Sequence, residues 1–202
     1  VGKSVFGGGE IAAVGRYGLD SSGMPSTLVS GGECTIVIKD NADIVKDVFG
    51  AGKGVDPIFD ANNKPKKMNA SSGWDILDSE DAYLSFLETL ALTSKTDVTI
   101  DGSASVKGNV YGGSESGFVH DNTSVTIQGN SEIGTADADS KDVNGNVFGG
   151  GKGLASFFSA GRVLGNTNLL LKGGTMHGTV YGGGELGYVG KVTVSPDYRT
   201  TT

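Results

Sequence analysis

Apolar and polar residues alternate in short bursts along this chain, and only one stretch keeps a helical period. Cys34-Thr-Ile-Val-Ile38, Asp97-Val-Thr-Ile100, Ser124-Val-Thr-Ile127, Asn168-Leu-Leu-Leu171 and Lys191-Val-Thr-Val194 are short, largely β-branched and bounded by turn residues. That pattern predicts a strand at each. A second element recurs beside them: valine, an aromatic residue, then glycine. It stands at Val5-Phe6-Gly7, Val48-Phe49-Gly50, Val110-Tyr111-Gly112, Val147-Phe148-Gly149 and Val180-Tyr181-Gly182. Ten residues separate Ile38 from Val48 and Ile100 from Val110, and nine separate Leu171 from Val180. Ile127 and Val147 are twenty apart, because ten polar residues around Asp137 to Asn146 are inserted. Between the two elements lies a third short apolar piece: Ile44-Val45, Ser105-Val106, Glu132-Ile133 or Thr175-Met176.

The unit is therefore strand, short strand, glycine-phrase strand, with most length variation after the phrase. A repeat of this kind without an obligatory helix predicts an all-β right-handed parallel β-helix, a β-solenoid of about five coils. Coils would stack at ~4.8 Å with equivalent residues above one another. An antiparallel sandwich is the main alternative, but it gives no reason for one phrase to recur.

In-register stacking would align Phe6, Phe49, Tyr111, Phe148 and Tyr181 in an aromatic ladder. Neighbouring strand residues face opposite sides. Valine is invariant among the five phrases, and two of the rings carry a hydroxyl. Valine is thus expected inside and the aromatics on the outer face. Four residues after each ring stands a charge, in the order Glu10, Lys53, Glu115, Lys152, Glu185. Like charges at this spacing repel by about 1 kcal/mol in water, whereas alternation makes each step attractive.

Residues 54–95 read as an insertion in one domain spanning 1–202. Its second half predicts a helix at about 79–93, with Asp78 as cap and Tyr83, Leu84, Leu87, Leu90 and Ala91 as an apolar stripe. The stripe is expected to cover the solenoid flank, and Trp74 to pin the helix or serve as a surface anchor. Lys64, Lys66 and Lys67 read as a solvated loop.

Composition narrows the function. Thirty-five glycines without a three-residue period exclude collagen and call for tight turns or close backbone contact. A net charge of −7 disfavours nucleic acid as a partner. Cys34 is the only cysteine, so no intrachain disulfide forms, and it is expected to pack as a small hydrophobe. No apolar run is long enough for a membrane span. Asp137, Asp139 and Asp142 offer oxygen ligands for calcium, against a plain solvated loop. Lys141 interrupts any EF-hand pattern. No other cofactor is implied. His120 and His177 lie in different units, and no nucleophile elbow or phosphate loop is present. The row Thr99, Thr126 and Thr193 would suit ice binding, but Val37 and Leu170 interrupt it, and β-propensity explains it.

The phrases "GNVYGG", "GNVFGGGKG" and "TVYGGGELG", alternating with "TSVTIQGN" and "TNLLLKGGT", resemble the glycine-rich solenoid repeats of surface or secreted proteins of anaerobic gut bacteria. The resemblance implies an adhesin-like, extracellular, secreted or cell-surface role and no catalytic residues. The expectation is a non-catalytic binding module, cut from a longer repeat protein or stackable as a subunit. It would meet a glycan or protein on a host or neighbouring cell through its loops and Tyr111, Tyr181 and Trp74. Two alternatives stand beside it. One is self-association through open solenoid ends into filaments, against which Glu185 would face Glu10. The other is a polysaccharide lyase or hydrolase.

Overall fold

The computed structural model describes residues 1–19, 21, 25–56, 58–59, 65–69, 73–76, 87–136, 144–155, 157 and 159–191. The described chain is all-β and almost without helix. Three parallel sheets carry it, none closed into a barrel. The long-strand sheet holds Glu33–Ile38, Lys95–Ile100, Thr123–Ile127 and Thr167–Leu171. The short-strand sheet holds Asp43–Ile44, Ser105–Val106, Glu132–Ile133 and Thr175–Met176. The glycine-phrase sheet holds Val5–Phe6, Val48–Phe49, Val110–Tyr111, Val147–Phe148 and Val180–Tyr181. Spatial order follows sequence order in all three, so each unit of the chain adds one strand to each sheet, except that the first adds a strand only to the glycine-phrase sheet.

Pairing joins equivalent residues. Ile36, Val98, Val125 and Leu169 form one row, and Ile38, Ile100, Ile127 and Leu171 another. Glu33–Ile38 alternates exposed and buried at every step, as a strand with one wet face must. The buried rows meet those of the other two sheets in one apolar cluster that includes Ile44, Val48, Val106, Val110, Ile133 and Val147. Val98, Val110 and Ile127 are wholly buried there, which stabilises each site by about 1.5–3 kcal/mol relative to exposure. A shorter parallel column runs beside them, where Leu92–Thr93 pairs with Phe118–Val119 and bridges continue from Val119 to Val163 and Val189.

The aromatic residues lie on the opposite side of their sheet from the valines and form a cluster of their own. The inner rings are not exposed as an outer face would suggest: Phe49 and Tyr111 each keep 1% of their surface. The rings stack face to face at 4.8 to 5.0 Å, so each ring covers the next. Outward direction and exposure part company where neighbours repeat at the strand spacing.

The insertion also departs from expectation. Its described parts include three antiparallel strands, Ile58–Phe59, Pro65–Asn69 and Gly73–Ile76. Lys66 and Lys67 therefore lie in a strand; Lys64 is outside the described residues. Within the expected helix 79–93, only Leu87 is helical among the described residues, and residues 79–86 lie outside them. Leu90 closes a turn onto Leu87, Ala91 takes a φ of +50°, and Leu92–Thr93 is a strand. A left-handed residue cannot continue a right-handed helix. A further antiparallel hairpin, Arg16–Leu19 with Pro25–Ser30, is absent from the expected pattern.

Candidate functional site: ladders, an outer groove and an open edge

The glycine phrases explain themselves at atomic distance. A Cβ on Gly7, Gly50, Gly112 or Gly149 would lie 2.2 to 2.3 Å from the carbonyl oxygen of the equivalent glycine in the next unit. No side chain fits, because the backbones themselves are in contact. At Gly182 and Gly183 a Cβ would meet nothing within 4 Å among the described residues.

Two further ladders tie the units together. Thr96, Thr123 and Thr167 share one row with Cys34. Each threonine hydroxyl donates across the core to the phrase glycine of its own unit: Thr96 to Gly112 O at 2.5 Å, Thr123 to Gly149 O at 2.6 Å and Thr167 to Gly182 O at 2.5 Å. Cys34 takes the corresponding place in the second unit, buried, with burial raising its thiol pKa. The other ladder precedes the valines. Asp47 Oδ1 accepts the Asn109 N–H at 2.7 Å, Asn109 Oδ1 that of Asn146 at 2.9 Å, and Asn146 Oδ1 that of Thr179 at 2.8 Å. Gly108 and Gly178 are small because the oxygen of Asp47 or Asn146 passes where their Cβ would stand.

The expected partner-binding residues are spread apart. Tyr111 has both ring faces covered, by Phe49 and Phe148. Its hydroxyl donates to Glu185 Oε2 at 2.6 Å. Burial first, then Glu185, pushes its pKa well above the ordinary tyrosine range. Tyr181 is the last ring of the column and is 46% exposed. Trp74 lies in Gly73–Ile76, opposite Met68. Asp137, Asp139 and Asp142 lie outside the described residues. Among the described residues no group of three metal-ligating side chains is found.

The charge row works in pairs. Lys53 reaches Glu10 at 2.9 Å and Lys152 reaches Glu115 at 3.6 Å. The hydrogen bond and charge of Lys53 lower the Glu10 pKa, and those of Glu10 raise that of Lys53. Glu185 instead turns back to Tyr111, past the intervening Phe148.

The solvent side of the long-strand sheet holds a groove of about 550 Å³. Two polar rows line it: Glu33, Lys95, Asn122 and Asn166, then Thr35, Asp97, Ser124 and Asn168. Lys95 pairs with Glu33 at 2.7 Å, and Asn122 Oδ1 accepts the Asn166 N–H at 2.8 Å. The groove thus presents hydroxyl, amide and carboxylate groups at the strand spacing. The sequence does not mark this groove, since each residue alone reads as a solvated strand face. Comparison with protein-family models, with curated proteins and with solved structures returned no match.

Proposed function

We propose that this chain is a right-handed parallel β-solenoid serving as a non-catalytic structural and adhesion-type binding module of an extracellular bacterial protein. The observation that carries the reading is the unbroken column of five rings, repeated by the glycine, threonine and Asx rows. Four successive parallel strands in register, in each of two sheets, give a stiff rod that presents a polar side chain at each rise. Recognition is assigned to the groove rather than to Tyr111, whose ring has no free face. Its hydroxyl, amide and carboxylate rows suit a linear glycan lying along the stacking axis, where repeating hydroxyls meet repeating partners. A glycan array of the intact chain tests this, with Asp97→Ala combined with Asn168→Ala as the comparison. Both side chains point to solvent, so the pair is expected to fold normally and to lose binding by tenfold or more. Full binding by the double variant would contradict the assignment of the groove.

A further inference from the structure

The two ends of the stack are complementary in a way that the internal joins spell out. Each internal join of the glycine-phrase sheet is made alike. The N–H groups of Val5, Val48, Val110 and Val147 donate to Asp47, Asn109, Asn146 and Thr179 of the next unit. Those of Gly7, Gly50, Gly112 and Gly149 donate to Phe49, Tyr111, Phe148 and Tyr181. Val180 and Gly182 hold the same donors, and no acceptor faces them among the described residues. At the opposite end, the carbonyls of Ser4 and Phe6 occupy the acceptor places. The last unit also carries glycines that its surroundings do not require. Among the described residues nothing lies within 4 Å of a Cβ on Gly182 or Gly183, whereas their counterparts are pressed against backbone. Tyr181 is 46% exposed, while Tyr111 in the equivalent place keeps 1%.

We propose that a second copy of this chain docks here, head to tail, with its Val5-Phe6-Gly7-Gly8 laid on Val180-Tyr181-Gly182-Gly183 in the internal register. The proposal rests on the solenoid reading. A donor edge meeting an acceptor edge is a heterologous contact; repeated without closure, it gives a filament. Chemistry favours a copy over an unrelated strand, because the incoming edge must itself supply glycine where the backbones touch and a flat ring over Tyr181. The first unit has both. Charge opposes the join only weakly, by about 1 kcal/mol in water at the strand spacing. Glu185 and Glu10 would face each other, but Glu10 is held by Lys53 at 2.9 Å and Glu185 by the Tyr111 hydroxyl at 2.6 Å, each within its own stack. Neither the long-strand nor the short-strand sheet has a strand in the first unit, so the glycine-phrase sheet carries the contact.

The test uses the 202-residue chain and one methyl group. Gly182→Ala adds a Cβ that the free chain accommodates, but that would meet Gly7 O of a second copy at the internal distance of 2.2 to 2.3 Å. Sedimentation velocity over a hundredfold concentration range, with negative-stain microscopy, is expected to show the wild type growing end to end. Gly182→Ala is expected to stay monomeric with an unchanged melting temperature. Three results would overturn the proposal: a wild type monomeric throughout, assembly that survives Gly182→Ala, or a monomer whose melting temperature falls with Gly182→Ala, which would mean that its own chain covers the edge. Gly112→Ala reports separately on the stacking. A marked fall in its melting temperature would leave the solenoid reading standing even if assembly fails, and an unchanged one would remove both.

Discussion

The residue that best shows how this molecule is held is Tyr111. Its ring is a rung like Phe49 and Phe148, but its hydroxyl must find a partner in a nearly dry place. It finds Glu185, two units away, since the intervening rung is a phenylalanine and offers nothing. An ordinary tyrosine ionises near about pH 10. Burial and Glu185 hold the folded Tyr111 above that. A group whose folded pKa is raised contributes its full stability below its unfolded value and loses it as pH rises beyond. The melting temperature of the wild type should therefore fall more steeply above about pH 10 than that of Tyr111→Phe. At neutral pH the variant should lose about 1 kcal/mol in urea unfolding, the worth of one net hydrogen bond. Parallel pH profiles for the two proteins would contradict this account of the hydroxyl.

At the scale of the element, three of the four long strands are each tied to the glycine phrase of their own unit by one threonine hydroxyl. Thr96→Val keeps the shape and removes the tie, leaving Gly112 O without that donor. It should cost about 1–3 kcal/mol in denaturant unfolding. Cys34→Thr restores the missing hydroxyl in the second unit and should add up to about 1 kcal/mol. A loss of stability in Cys34→Thr would show that its column differs from the others. Strands and phrases are legible in the sequence because period-two burial and a recurring phrase both leave marks in one dimension. The threonine tie is legible too, since Thr96, Thr123 and Thr167 stand directly before each apolar core, but only once the strands are laid side by side. The buried ring column is legible only in part. Alternation tells which side of the sheet a residue faces, and says nothing of what covers it there. The helix expected at 79–93 rests on Tyr83, Leu84, Leu87, Leu90 and Ala91; of these only Leu87, Leu90 and Ala91 are described, and from Leu90 onward the chain turns into a parallel strand. No spacing argument foresees the φ of +50° at Ala91, which comes from its docking onto Ile11 through a backbone hydrogen bond. The outer groove is illegible for a different reason: it is built from equivalent polar residues of four strands.

Over the whole molecule, one geometric rule generates every ladder: successive units lie level, each residue above its counterpart. Spin labels on the solvent side of the long-strand sheet test this most directly. With Cys34 replaced by threonine, labels at Asp97→Cys and Ser124→Cys would sit on neighbouring strands that pair residue for residue. Labels at Asp97→Cys and Asn168→Cys would sit two strands apart. The account predicts strong dipolar broadening for the first pair, about 4.8 Å apart along the stack, and clearly weaker broadening for the second, at about twice that. A first pair whose spectrum equals the sum of the two single labels would contradict it.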